Sequence, residues 1–173
     1  MESKNIALIG FMGSGKSVVS KRLSRIWKKE IISTDKLIEQ KEDRSVTKIF
    51  KESGEPYFRE MEEAIIKEVC EKKNVILDCG GGVVLSCDNI QNLKKNSILI
   101  YLRTSLMVIY ERVKGKKYRP LLNGSNVKQK IKELLEKRKP LYEQADLVID
   151  TDHKTVAQIC QEIREKVIGL SRR

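Results

Sequence analysis

Short, wholly apolar runs alternate along the chain with longer segments whose apolar residues recur near every third or fourth position. The apolar runs predict β-strands at residues 5–10, 31–33, 74–78, 97–102 and 147–150. The segments with helical spacing predict helices at residues 16–29, 35–41, 45–53, 55–72, 88–95, 105–113, 127–139 and 155–170. Strands that are apolar on both faces and are separated by helices form parallel sheets covered on both sides. The pattern therefore predicts an α/β fold.

The loop after the first predicted strand carries a phosphate-binding motif. Residues 10–17, GFMGSGKS, match G-x-x-x-x-G-K-[ST], and they lie between a predicted strand and a predicted helix, as that motif requires. Its glycines let backbone N–H groups turn toward a phosphate, and the new helix directs its positive end to the same point. Lys16 can reach the outer phosphates, and the Ser17 hydroxyl can ligate Mg²⁺. The residues expected to bind ATP in this segment are Gly13, Ser14, Gly15, Lys16, Ser17 and Val18.

Ligands of parallel sheets bind at the carboxyl ends of the strands, and two further strands are followed by residues suited to a site. Asp35 opens the helix after the second strand. It can orient an attacking hydroxyl or accept its proton, or it can only stabilise the helix dipole. Residues 80–82 are three glycines after the third strand, and they either permit close approach of a ligand to the backbone or form an ordinary turn.

Three arginines extend the set of candidate residues. Arg59 and Arg138 lie on predicted helices, where an arginine is usually a solvated surface residue, but together they would bind a carboxylate from two sides. Residues 114–126 are polar and basic and are predicted to form a lid over the phosphates. In that lid Arg119 would neutralise charge on the transferring group; the alternative is a basic surface loop.

The formal net charge of +11 has two interpretations. A nucleic-acid-binding protein concentrates its basic residues on one face, often with aromatic residues between them. Here Lys and Arg are spread along the chain, and aromatic residues make up 5%. We therefore expect no nucleic-acid partner, and a positive field that favours ATP and an anionic substrate.

The remaining composition favours a small intracellular enzyme. Four cysteines without a CxxC pair and a single histidine argue against a zinc site. The first residues do not resemble a signal peptide, and no apolar stretch is long enough to cross a membrane. We expect a cytoplasmic monomer with no membrane partner, made of one domain over residues 1–173.

Further spaced motifs accompany the phosphate motif. They are T-D-x-x-I-E at residues 34–39, I-F-x-x-x-G-E-x-x-F-R at 49–59, the glycines at 80–82, R-P-L-L at 119–122 and R-x-P-L-Y at 138–142. In their order and spacing, from residue 5 to about residue 155, they resemble the shikimate kinase family. The resemblance implies a three-layer αβα P-loop NTPase fold, similar to that of nucleoside monophosphate kinases, with a five-stranded parallel sheet of strand order 2-3-1-4-5. It also implies that residues 35–72 hold the substrate-binding helices and that residues 114–126 form the lid.

The resemblance implies a reaction and a role for each candidate residue. In that family ATP, with Mg²⁺, phosphorylates the 3-hydroxyl of shikimate to give shikimate 3-phosphate and ADP in aromatic amino acid biosynthesis. Asp35 would hold the acceptor hydroxyl, and Arg59 and Arg138 would bind the shikimate carboxylate. The remaining implied contacts are Gly81 and Gly82 to shikimate through the backbone, Lys16 and Arg119 to the phosphates, Arg112 to adenine, and residues 153–155 to the other side of the base.

The sequence departs from the family pattern at one position. Most members carry an acidic residue two positions before the acceptor aspartate, where it supports the metal through water, and here Ser33 stands in its place. Asp78 ends the third predicted strand, as the Walker B aspartate does in other P-loop enzymes. We hypothesise that Asp78 supports Mg²⁺ through water instead; the alternative is that it only caps the strand.

Two other functions stay open at this point. Another small-molecule kinase, such as a gluconate kinase, would also bind a hydroxylated carboxylate. A nucleic-acid-binding module would use the charge of +11 but would leave the phosphate motif and the lid unexplained.

Overall fold

The structure, a computed structural model, describes residues 4–114 and 126–171. Its strands are β1 (Asn5–Ile9), β2 (Glu30–Ser33), β3 (Val75–Asp78), β4 (Ser97–Arg103) and β5 (Leu147–Asp150). Its helices are α1 (Lys16–Trp27), α2 (Thr34–Glu42), α3 (Val46–Glu52), α4 (Gly54–Val69), α5 (Cys87–Asn96), α6 (Leu106–Val113), α7 (Val127–Tyr142) and α8 (Val156–Ser171). Each predicted strand and helix is present, with ends shifted by a few residues.

The five strands form one parallel sheet in the order β2-β3-β1-β4-β5, so the predicted strand order is confirmed. β1 lies at the centre, where Ile6 pairs with Ile76 of β3 and with Ile98 of β4. This position places the loop after β1 in the middle of the carboxyl edge, where open α/β sheets bind their ligands.

Both faces of the sheet are buried, and the alternation along β1 shows why. Ile6 and Leu8 point into a cluster with residues of α1 and α8, such as Val19 and Ile159. Ala7 and Ile9 point into a second cluster, on the opposite face, with residues of α4, α5, α6 and α7. Because successive strand side chains face opposite sides, each strand must be apolar throughout. The predicted αβα layering is confirmed.

Two local features differ from the sequence prediction. The end of α7 was predicted at residue 139, before a proline, but the helix continues through Pro140 to Tyr142. Proline removes one backbone N–H and its hydrogen bond from a helix. The complete burial of the Tyr142 side chain, two residues further on, offsets the loss of that bond. A 3₁₀ turn at Val83–Leu85, after the three glycines, was not predicted. Gly54 has a φ of 83°, which fits its predicted place after the end of α3.

Part of the predicted lid, residues 115–125 with Arg119, lies outside the described residues. Within the part of the chain that the structure does describe, no helix has the length and apolar character needed to cross a bilayer.

Candidate active site

The carboxyl ends of β1, β2 and β3 open onto two neighbouring cavities. One, of about 520 Å³, is lined by the phosphate loop. The other, of about 570 Å³, lies between α2, α4, the three glycines and α7. Met12, Ser17, Ser33, Asp35 and Gly81 line both cavities. A ligand in one cavity would therefore meet a ligand in the other beside Asp35.

The phosphate loop has the backbone form that its glycines predict. Gly13 and Gly15 have φ values of 81° and 96°, which residues other than glycine rarely adopt. The Lys16 Nζ donates to the carbonyl oxygens of Gly10 at 2.8 Å and Phe11 at 3.1 Å, so its ammonium lies over the loop. Because α1 begins at Lys16, the positive end of its helix dipole faces the same cavity.

Arg112 closes one side of the phosphate-loop cavity. Its Nη1 donates to the Gly13 carbonyl at 3.0 Å. Lys154, Val156 and Ile159 also line this cavity. The cavity thus combines the phosphate loop with cationic and apolar surfaces of the kind that a nucleotide base contacts.

Arg59 is fixed in the second cavity by two glutamates of its own helix. Its Nη1 donates to the Glu62 Oε2 at 2.7 Å, and its Nε and Nη2 donate to the Glu55 Oε1 at 3.2 and 2.8 Å. These contacts use one N–H of each terminal nitrogen. Counting only contacts with described residues, one N–H remains on each terminal nitrogen of Arg59, enough for a carboxylate with two oxygens.

Arg138 lines the same cavity, so the fold brings together the two arginines that lie far apart in the sequence. Its side chain is almost fully buried, and its Nη1 donates to the Gly81 carbonyl at 3.3 Å. The Tyr142 hydroxyl, one turn further along α7, donates to the same carbonyl at 2.5 Å. Helix α7 thus fixes the backbone of the three glycines as well as supplying a cation.

Side chains of the site lie close to the backbone of two of the three glycines. A Cβ at Gly80 would lie 2.5 Å from the Asp35 Oδ1 and 2.8 Å from the Glu62 Oε1. A Cβ at Gly82 would lie 2.3 Å from both terminal nitrogens of Arg59. These distances are far below van der Waals contact, so the missing Cβ atoms of Gly80 and Gly82 leave room for Asp35, Glu62 and Arg59.

Asp78 and Ser33 are side by side at the same edge of the sheet. They are paired in the parallel register of β2 and β3, so their side chains emerge on the same face. Both line the phosphate-loop cavity together with Ser17, and Asp78 is 8% exposed. Within the described residues, no group of three or more His, Cys, Asp or Glu side chains could hold a metal ion by itself. The side-chain oxygens of Ser17, Ser33 and Asp78 suit Mg²⁺, because this ion keeps several waters and also binds phosphate oxygens.

Glu62 supplies a buried, perturbed carboxyl group to the second cavity. Burial raises its pKa to about 7, with Arg59 opposing the rise and the charge of Asp35 adding to it. Glu55, Glu62 and Tyr142 were not among the predicted site residues. The sequence spacing could have indicated the two glutamates. Glu55 and Glu62 are four and three residues from Arg59 on α4, and such spacings place helical side chains together.

The fold and these two cavities define a P-loop phosphotransferase that acts on a small acceptor. The family model described as "Shikimate kinase" matches residues 12–168. Shikimate kinases from Dehalococcoides mccartyi and Thermodesulfovibrio yellowstonii are both 42% identical to the chain, and the alignments cover 96% and 97% of each pair of chains. The structure of the Acinetobacter baumannii shikimate kinase in complex with shikimate superimposes with a TM-score of 0.94 at 32% identity. That alignment covers 98% of this chain and 96% of the other.

The chain belongs to the shikimate kinase family. The family and the activity expected from the sequence motifs are confirmed: the protein is an ATP-dependent phosphotransferase of that family.

Proposed function

We propose that the protein transfers the γ-phosphoryl group of ATP to the 3-hydroxyl of shikimate, giving shikimate 3-phosphate and ADP. The observation that carries this proposal is the junction of the two cavities at Asp35, Ser17 and Gly81. A nucleotide on the phosphate loop and a carboxylate between Arg59 and Arg138 would place phosphate and hydroxyl in contact there. Phosphoryl transfer depends mainly on such alignment and on charge stabilisation.

On the nucleotide side, the backbone N–H groups of the phosphate-loop residues cradle the phosphates. Those residues are Gly13, Ser14, Gly15, Lys16, Ser17 and Val18. Lys16 contacts the outer phosphates, and Arg112 lies against the base, with residues 153–155 on its other side. Arg119, in the lid, neutralises charge on the transferring group.

On the acceptor side, Arg59 and Arg138 hold the carboxylate, and the backbone of Gly81 and Gly82 contacts the ring. Asp35 orients the 3-hydroxyl and accepts its proton as the oxygen attacks. The new bond joins that oxygen to the γ-phosphorus, and the bond from the γ-phosphorus to the bridging oxygen of ADP breaks. The helices over residues 35–72 and the lid over residues 114–126 thus serve one catalytic domain.

The donor set at the phosphate loop fits Mg²⁺, with the Ser17 hydroxyl as direct ligand and Asp78 acting through water. When bound, the metal supplies positive charge at the phosphate oxygens. The register of Asp78 beside Ser33 supports this role. Asp78→Asn should raise the Mg²⁺ concentration needed for half-maximal rate, whereas Ser33→Ala should change it little. An unchanged Mg²⁺ requirement in Asp78→Asn would remove Asp78 from the metal site.

The reaction is tested by ADP release from Mg-ATP with shikimate and, as control, with gluconate. Stimulation by shikimate alone is expected. Arg59→Ala and Arg138→Ala should each raise the KM for shikimate about 10- to 100-fold, because each loses a charge-assisted hydrogen bond, and leave the KM for ATP nearly unchanged. Equal effects on both substrates would contradict the carboxylate site.

We also propose that the enzyme acts as a cytoplasmic monomer without nucleic-acid or membrane partners. Lys and Arg are spread along the chain and aromatic residues are only 5%, which argues against a nucleic-acid partner. Light scattering of the eluted protein should give the mass of one chain, and a salt-sensitive complex with DNA or RNA would overturn the proposal.

A further inference from the structure

The Glu62 carboxyl group, in the acceptor cavity, has a buried oxygen that meets no hydrogen-bond donor among the described residues. The Glu62 side chain is 1% exposed, and its Oε2 accepts from Arg59 at 2.7 Å. Its Oε1 is buried and, among residues 4–114 and 126–171, accepts no hydrogen bond. Burying a carboxylate oxygen without a hydrogen-bond donor costs free energy. Protonation lowers this cost, because it removes the negative charge.

The groups facing Glu62 come from every element around it. Arg59 and Glu55 lie on the same helix, Arg138 on α7 and Asp35 on α2, and the Cys79 thiol follows β3. Burial raises the pKa of Cys79 well above its usual value, so this thiol stays neutral. The Glu62 Oε1 and the Asp35 Oδ1 both approach the Cβ position that Gly80 leaves empty, which makes the two carboxyl groups near neighbours.

The charge balance of the cavity changes when a carboxylate enters it. Three cationic side chains, Lys36, Arg59 and Arg138, and three carboxyl groups, Asp35, Glu39 and Glu62, line the cavity, and Glu55 pairs with Arg59. A bound carboxylate adds a further negative charge and takes up donors of Arg59, the residue that stabilises ionised Glu62. Like charges in a buried site cannot all stay ionised, and the group with the least solvent and the fewest donors is protonated first.

We propose that binding of the carboxylate substrate is coupled to the uptake of one proton by Glu62, on Oε1. The proton comes from solvent, and Oε2 keeps its bond from Arg59. The inference rests on the proposed binding of shikimate between Arg59 and Arg138. It is supported by the raised pKa of Glu62, about 7, which places its ionisation near balance at neutral pH.

The coupling is measured by isothermal titration calorimetry of shikimate into the whole protein at pH 7.5, in phosphate, HEPES and Tris buffers. Because these buffers differ in ionisation enthalpy, proton uptake appears as a heat that varies with the buffer. We expect uptake of roughly half to three quarters of a proton, and a Kd for shikimate that rises up to about tenfold per pH unit above pH 7. Glu62→Gln keeps an oxygen for Arg59 and should show neither effect. Glu60→Gln, an exposed position on the same helix, should behave like the wild type.

Each result decides the proposal. Heats that are independent of buffer in the wild type, or proton uptake retained in Glu62→Gln, would overturn it, since in the second case another group takes the proton. If Glu62→Gln does not fold, as judged by circular dichroism, the wild type still tests the coupling. Its KM for shikimate should rise with pH above 7, whereas its KM for ATP should not. Absence of any shikimate binding, with ATP still bound, would instead refute the proposed substrate.

Discussion

Gly82→Ala isolates the steric role of the three glycines, because the backbone at Gly82 suits alanine. Its φ of −106° and ψ of 1° are accessible to any residue, so the substitution adds no backbone strain. The new methyl group would lie 2.3 Å from both terminal nitrogens of Arg59 and 2.5 Å from its Cζ. Restoring an ordinary contact of about 3.5 Å requires the guanidinium to move by about 1 Å. That movement would disrupt its bonds to Glu55 and Glu62, which are 2.8 and 2.7 Å long.

The expected effect is confined to the acceptor. Misplacing one charge-assisted hydrogen bond costs about 1.5–3 kcal/mol, so the KM for shikimate should rise about 10- to 100-fold. The KM for ATP should stay close to the wild-type value, because Arg59 lines the acceptor cavity and is not among the residues that line the phosphate-loop cavity. Steady-state ADP release, with each substrate varied at saturation of the other, measures both constants.

Gly169→Ala is the matched control. A Cβ at Gly169, within α8, has no atom within 4 Å, so the same substitution there should leave both KM values unchanged. An unaltered KM for shikimate in Gly82→Ala would show that the position of Arg59 does not determine acceptor binding.

Three further predictions concern the same cavity. Asp35→Asn should lower kcat about 100-fold or more while changing the KM for shikimate much less, since the side chain acts on the reacting hydroxyl; a retained kcat would exclude that role. Tyr142→Phe removes the bond to the Gly81 carbonyl and should lower the free energy of unfolding by about 1 kcal/mol and raise the KM for shikimate alone; equal changes in both KM values would argue against local positioning. Because folding raises the pKa of Glu62 from 4.5 to about 7, its contribution to stability is intact below pH 4.5 and falls by about 3 kcal/mol as the pH rises to 7. Urea unfolding of the wild type and Glu62→Gln at pH 5 and pH 8 measures this, and a difference between the two proteins that does not change with pH would refute it.

The features that sequence could predict are those encoded locally. The apolar runs of β1 and its neighbours predict buried parallel strands, because both faces of each strand meet a layer of helices. The phosphate loop is one continuous segment with fixed chemistry, so its position and backbone form follow from the motif.

The features that sequence could not predict depend on long-range packing. Nothing local indicates that Arg59 of α4 and Arg138 of α7 line one cavity, since each sits on a helix rich in charged residues. The adjacency of Asp78 and Ser33 follows from the register of β2 and β3, which only the folded sheet fixes. The buried state of Glu62 is equally hidden, because a glutamate on an amphipathic helix is usually solvated.

The position of the Gly81 carbonyl, held by both Arg138 and Tyr142, has a consequence for how this enzyme can diverge. The phosphate-binding part of the site is inherited as a single short stretch of sequence. The acceptor half is assembled from segments contributed by α2, α4, the end of β3 and α7. Substitutions that retune the acceptor can therefore accumulate on α4 without touching the phosphate loop. A change at Arg138 or Tyr142 of α7, by contrast, affects a contact that holds the glycine backbone. These two positions should therefore tolerate fewer substitutions than the exposed positions of the same helix.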